Sequence, residues 1–374
     1  MSKYTSQELE CLKKDAKTIK KGKICIEVRE SGKRHGQNGV DAFEAWCQNH
    51  ERLDREIGEY PLPELQEQLP EADELTMFRR MCGFPALNLC TQEIYTRYET
   101  LECEGDNIGL WRYYKRKTVK KERPCLIYIH GGGWIAGSVY TVENQCKLIA
   151  QLADAVVFNL DYTLAPEAKF PTALNSCYEA VKYIRNHAKE YGIDSTRIII
   201  AGDSAGGNYA AALALKARDE GEDLFYMQYL LYPLLCIEDS ADRVEGYCWS
   251  IDAYDLPEQE KETVTAQISM GGDKTPFSKL AVMHYLKEKK DVYHPYVSPL
   301  LAETWNGLPK TVIATADFDG LRIQDEVYAE KLKEQGNDVE IIRYGGTFHA
   351  FFDRLGYVPQ AEAVCIDIAC RLKE

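Results

Sequence analysis

The stretch "IIIAGDSAGGNYAAALALKA", Ile198 to Ala217, passes from three isoleucines through a serine flanked by glycines into an alanine-rich segment. β-Branched residues suit a pleated, packed strand, and alanine is the best helix former. The stretch therefore predicts a strand, a sharp corner and a helix. Gly202-Asp203-Ser204-Ala205-Gly206 has the spacing G-x-S-x-G, in which the glycines avoid side-chain clashes where strand and helix meet and the serine stands out on a strained turn as a nucleophile. The competing reading is an ordinary helix cap, a position serine also favours.

The same alternation extends on both sides of the corner. From Pro124 onward, short apolar runs ("CLIYIH", "AVVFNLDY", "RIIIAG", "FYMQYLLYPLL", "TVIATADFD", "VEIIRY") are separated by helical patterns such as "NQCKLIAQLADA" and "ALNSCYEAVKYIRNHAKEYG". Strands alternating with helices predict a mostly parallel sheet with helices on both faces, an α/β core. "NYAAALALKARDEG" and "QDEVYAEKLKEQG" end on glycine, as helices often do. Ahead of this core, "IYTRYETLEC" and "IGLWRYYKR" flank the turn-rich "EGDN", a hairpin signal. Residues 1–93 are polar and read as helices and loops packed onto the rest; residues 94–374 read as the main α/β unit, expected to carry any chemistry, and the long polar interval 236–300 reads as a cap inserted within it.

Composition narrows the function classes. A chain of 374 residues can bury a large core. Its net charge of −14 would repel phosphate backbones, which sets nucleic acid aside as a partner. The N-terminal residues are charged throughout, and no apolar run approaches the ~18 residues of a spanning helix. The thirteen cysteines contain no C-x-x-C pair. They read as small core residues of a cytoplasmic protein rather than a disulfide framework or metal site.

A serine hydroxyl needs an imidazole to take its proton and an acid to orient that imidazole. In a hydrolase of this type the order is serine, acid, histidine, which leaves His284, His294 and His349. His284 lies in a helical pattern and His294 in the polar interval. His349, in "YGGTFHAFF", follows the strand "VEIIRY" on a glycine-rich loop where a base belongs. "TVIATADFDG" offers Asp317 and Asp319 as the acid, and their two-residue spacing places both on one strand face, so periodicity does not separate them. Either could instead cap the next helix. "HGGGW", His130 to Trp134, follows a strand and would let bare backbone approach a developing oxyanion. Phosphate cradling is disfavoured, because no P-loop or spaced G-x-G-x-x-G pattern occurs.

"HGGGW", "DYTLAPEAKFP", "GDSAGGN", "GLPKTVIATADFDGLR" and "YGGTFHAF" together resemble the hormone-sensitive-lipase-like branch of the α/β-hydrolase esterases. The resemblance runs from about Pro124 to the C-terminus. It implies an α/β-hydrolase fold with a mainly helical cap, Ser204 as nucleophile, Asp319 as acid and His349 as base. It also implies Gly132, Gly133 and Ala205 as oxyanion donors, with Gly131 the alternative if the loop is registered one residue earlier. His130 then supports the loop without transferring a proton. Two departures stand out: Thr163 replaces the family's arginine, and Gly320, Ile323, Gln324 and Asp325 break the "DPLRDEG" pattern, which is expected to loosen the turn behind the acid.

The expectation is a serine carboxylesterase acting on a small-molecule ester, with no cofactor, metal or membrane span. Trp134, Asp203, Tyr247 and Trp249 are candidates to line its substrate pocket; for the aromatic ones a packing role is the bland alternative. The competing functions are a catalytically silent binding module and an amidase or peptidase using the same triad. An exposed edge strand such as "VEIIRY" offers a route to a homodimer.

Overall fold

In the computed structural model, residues 2–30, 73–116, 122–237, 243–256, 261–271 and 276–374 are described. Among them, ten strands form one sheet: β1 (Lys17–Lys21), β2 (Ile24–Arg29), β3 (Ile94–Cys103), β4 (Asp106–Lys115), β5 (Arg123–Ile129), β6 (Val156–Asp161), β7 (Ile193–Asp203), β8 (Met227–Leu231), β9 (Lys310–Phe318) and β10 (Val339–Phe348). Their spatial order is β1-β2-β10-β9-β8-β7-β5-β6-β4-β3. The central strands pair in parallel, and antiparallel pairs occur only toward the two ends.

The isoleucine run is apolar throughout because both faces of β7 are covered. Ile198 and Ile200 join one buried cluster with the helices Thr172–Asn186 and Ala205–Asp219. Ile199 and Ala201 point the other way, into a second cluster with the helices Glu143–Ala153 and Pro359–Arg371. A continuous run rather than alternation is what a two-sided core selects, and each fully buried isoleucine contributes roughly 1.5–3 kcal/mol over an exposed one. The helices Ala205–Asp219 and Arg322–Glu334 stop just before Gly221 and Gly336, both at positive φ.

The N-terminal region departs from the expected helices and loops. Residues 17–29 are a hairpin that extends the sheet, with β2 running parallel to β10 from Ile26↔Ile341 to Arg29↔Tyr344. The physical reason is visible in "ICIEVR", whose Ile24, Ile26 and Val28 are buried. One consequence corrects the dimer expectation: "VEIIRY" is an interior strand, flanked by β9 and β2, and has no free edge. Most of the rest of that region lies outside the described residues. Its last helix, Glu74–Met81, is capped by Asp73 and lies over the glycine loop, where Arg79 donates to the carbonyls of Ile135 (2.7 Å) and Ala165 (2.9 Å) and pairs with Glu167.

Between β8 and β9 the chain leaves the sheet. This interval contains a short turn at Ile251–Ala253 and the helices Lys261–Gly271 and Pro276–Tyr285. Tyr254, Val264 and Ile268 from it form a third apolar cluster with Phe318 and Ile323, against which Trp249 and Phe348 pack. Phe318 and Phe348 directly precede Asp319 and His349, so the interval is seated on the two loops that carry the candidate acid and base.

Candidate active site

At the end of β7 the backbone of Ser204 is held at φ 53°, ψ −118°. A positive φ is uncommon for any residue with a Cβ and stores strain of order 1–3 kcal/mol. The surroundings impose it. The Ser204 N–H donates to the carbonyl of Leu231 at the end of β8 (2.9 Å), and the Ser204 carbonyl accepts from Asn208 (2.9 Å). Gly206 is required at the corner because a Cβ there would lie 2.0 Å from the Ile129 carbonyl oxygen of β5. The cap reading fails on geometry: the Ser204 side chain makes no capping bond to its helix. Its Oγ lies instead 2.9 Å from Nε2 of His349.

His349 follows the last residue of β10, and its Nδ1 is 2.7 Å from Oδ2 of Asp319. Asp319 stands one residue past β9 and is fully buried. Its Oδ1 accepts from the Leu321 N–H (2.9 Å), and its carbonyl accepts from the Tyr254 hydroxyl (2.7 Å) and the Arg322 N–H (3.0 Å). The ambiguity left by periodicity is resolved by position. Asp317 accepts from the Gly346 N–H (3.2 Å) and pairs with Arg322 (3.3 Å), away from the imidazole. With Asp319 on Nδ1, the neutral ring carries its proton there and offers the Nε2 lone pair to the hydroxyl. Burial disfavours the imidazolium, but Asp319, through its charge and hydrogen bond, outweighs that and holds the His349 pKa above its ordinary value; Asp203 and Asp353 add to the effect.

Of the departures behind the acid, Gln324 is tied to the loop after β8, whereas both carboxylate oxygens of the buried Asp325 lack a hydrogen-bond partner among the described residues. Gln324 accepts from the N–H groups of Leu235 (2.9 Å) and Cys236 (3.0 Å) and donates to the Cys236 carbonyl (3.0 Å). Arg322 reaches the Ala253 carbonyl and lies 4.2 Å from the Tyr254 ring centroid. Thr163, in the arginine's place, donates to Asp106, the first residue of β4 (2.8 Å).

The glycine loop is fixed from both sides. Gly131 donates its N–H to Oδ1 of Asp203 (3.0 Å), so that N–H is already engaged. The Gly132 carbonyl accepts from Ile135 (3.2 Å) and Ala136 (2.9 Å). Among the described residues, the N–H groups of Gly132, Gly133 and Ala205 have no acceptor. The last of these opens a helix N-terminus, where partial positive charge favours an anion. His130 is buried, stacked on Tyr162 with ring centroids 4.5 Å apart, and burial lowers its pKa, so it is neutral packing behind the loop.

Two of the expected pocket residues are withdrawn from solvent. Asp203 is 3% exposed and accepts from both the Tyr128 hydroxyl (3.0 Å) and Gly131, so it ties the serine corner to the glycine loop. Burial raises its pKa to about 6, against the pull of those two bonds. Trp134 is 1% exposed and lies flat on Tyr285, with centroids 4.3 Å apart. Tyr247 and Trp249 are half-buried in the apolar contacts of the β8–β9 interval. The sequence gives no sign of the bonds that Tyr128 makes to Asp203 and Tyr254 makes to Asp319. Nothing local to either residue points to its partner. Among the described residues no group of three or more His, Cys, Asp or Glu is arranged to hold a metal, and no helix is long and apolar enough to cross a membrane.

The profile of a family described as alpha/beta hydrolase fold matches residues 126–353. An arylesterase of Saccharolobus solfataricus is 33% identical over 282 residues, which cover 72% of this chain and 85% of the relative. Among solved structures, a hyperthermophilic esterase from the archaeon Pyrobaculum calidifontis is similar with a TM-score of 0.63 at 31% identity, covering 76% of this chain and 84% of the other. An ester-hydrolase, EH1AB1, from the metagenome of Lake Arreo reaches a TM-score of 0.69 at 27% identity over 87% of this chain and 96% of its own.

Proposed function

The chain belongs to the alpha/beta hydrolase fold family, and from that membership we propose that it hydrolyses carboxylic esters through an acyl-enzyme formed on Ser204. Ester cleavage is the activity named for the similar proteins. The observation that carries the assignment to residues is the unbroken contact line Ser204 Oγ, His349 Nε2, His349 Nδ1, Asp319 Oδ2, with spacings of 2.9 and 2.7 Å at its two hydrogen bonds.

Ser204 Oγ attacks the ester carbonyl while its proton passes to Nε2 of His349. Asp319 stabilises the resulting imidazolium without itself being protonated. The carbonyl oxygen becomes an oxyanion held by the N–H groups of Gly132, Gly133 and Ala205. Collapse breaks the bond to the alcohol, which leaves with the Nε2 proton. Water, activated by the same nitrogen, then releases the acid and restores the serine. Written this way the reaction needs no cofactor.

In the same proposal the helix Glu74–Met81 and the interval between β8 and β9 roof the site as a cap, whereas residues 17–29 belong with the catalytic sheet. A cytoplasmic setting is consistent with the free thiols of the described cysteines, and a homodimer is part of the reading. The assignment is tested by Ser204→Ala. The variant should keep the far-UV spectrum of the parent and lose ester turnover by several orders of magnitude, and near-parental turnover from folded protein would reject it.

A further inference from the structure

The two edges of the sheet are finished differently. β1, at one end, has five residues, all exposed, three of them lysines: Lys17, Lys20 and Lys21. Short, lysine-rich edges keep an unpaired backbone from recruiting another strand. β3, at the other end, has ten residues in unbroken register with β4, with no lysine, proline or bulge. Among the described residues no strand pairs with its outer side.

The pattern of side chains names what fits there. When two copies of one strand pair antiparallel about a two-fold axis, their side-chain faces match only in registers where one residue meets itself at the axis. Centred on Tyr98, Arg97 of each copy faces Glu99 of the other, Thr96 faces Thr100, and Tyr95 faces Leu101. Moving the centre by one residue sets Arg97 against Arg97 or Glu99 against Glu99. The same construction on β1, centred on Ile19, sets Lys17 against Lys21, which is repulsive. Beside the β3 centre stand two exposed aromatic side chains, Tyr98 (55%) and Tyr140 (64%), bridged by Trp111 with centroids 5.1 and 5.4 Å away. Aromatic residues of this kind are enriched where proteins associate.

We propose that β3 pairs antiparallel with β3 of a second copy of this chain, in the register centred on Tyr98, so that one sheet runs through a two-fold dimer. The interface is independent of the esterase reading and stands or falls separately from it.

Sedimentation velocity on the full chain tests it, together with hydrogen exchange at the β3 amides. The parent should be a dimer, with β3 protection that grows with protein concentration. Arg97→Glu should raise the dimer dissociation constant at least tenfold, and Arg97→Glu combined with Glu99→Arg should restore it. Because Glu99 also accepts from the Tyr191 hydroxyl (2.9 Å), each variant's melting temperature is read alongside, and if the double variant does not fold, the concentration dependence of exchange in the parent decides. A monomeric parent, a dimer indifferent to Arg97→Glu, or β3 amides already protected in the monomer by another part of the same chain would each overturn the proposal.

Discussion

The hydroxyl of Tyr254 donates to the backbone carbonyl of Asp319 at 2.7 Å, joining the interval between β8 and β9 to the candidate acid from 65 residues away. Arg322 lies against the Tyr254 ring and reaches the Ala253 carbonyl, and Tyr254 shares an apolar cluster with Phe318 and Ile323. Tyr254 is thus a positioning residue: it touches the loop behind Asp319.

Tyr254→Phe keeps the ring packing and deletes the donor. A hydrogen bond of this kind is worth about 1 kcal/mol in all, which bounds what its loss adds to the barrier, so kcat should fall by up to about fivefold. KM and the melting temperature should move little. An unchanged kcat in steady-state ester hydrolysis would remove Tyr254 from this role.

Asp203 ties the serine corner to the glycine loop proposed to hold the oxyanion, by accepting from Gly131 and Tyr128. Asp203→Ala should misalign the Gly132 and Gly133 N–H groups and lower kcat roughly ten- to a hundredfold, short of the loss typical for deleting a donor outright. Asp203→Asn keeps an acceptor and should lose less. Comparing the two variants by kcat and circular dichroism separates alignment from folding.

In the proposed mechanism the pH profile follows from His349, which must be neutral to accept the Ser204 proton. Burial favours neutrality, but Asp319 more than offsets it and holds the pKa above the ordinary imidazole value. With rising pH, kcat/KM should therefore climb through a pKa above about 6.5. The linked stability has the opposite sign: it is fully present below the unfolded-state pKa and lost as pH rises through the folded value. Asp319→Asn should move the activity limb to lower pH and cut the maximum by about 10⁴. A parental limb centred below the ordinary imidazole value would contradict the ion pair.

Asp353, four residues beyond His349, is 9% exposed, and burial together with the charge of Asp203 pushes its carboxyl up to about 8, with Arg354 and His349 opposing. An acid raised in the folded state adds no penalty below its unfolded pKa of about 4. It destabilises the fold progressively as pH rises from there to its folded value. Asp353→Asn mimics the neutral acid, so its melting temperature should exceed the parent's by more at pH 8 than at pH 5. Equal differences at the two pH values would show that the carboxyl is not held neutral.

The parallel core, and the serine and histidine proposed as nucleophile and base, were legible because each rests on local sequence: β-branched runs, a glycine-flanked serine, and a histidine just past a strand. The choice between Asp317 and Asp319 was not local. Both share a strand face by periodicity, and what separates them is where β9 ends and that Arg322 takes Asp317. The hairpin of β1 and β2 did leave a signal, the two-residue Gly22-Lys23 connection followed by alternating Ile24, Ile26 and Val28, which the surrounding lysines obscured. The tie from Tyr254 to Asp319 and the anchoring of Gly131 by Asp203 depend on tertiary approach, and no spacing in the chain encodes them.

The most direct measurement is reaction of the full chain with a fluorophosphonate, followed by peptide mass mapping, because phosphonylation requires a serine whose proton is taken by a neighbouring base. A single adduct on Ser204, formed quickly in the parent and far more slowly in His349→Ala, is the result expected. No adduct on Ser204, or an equal rate without the imidazole, would contradict the contact line from Asp319 through His349 to Ser204 as the source of activity.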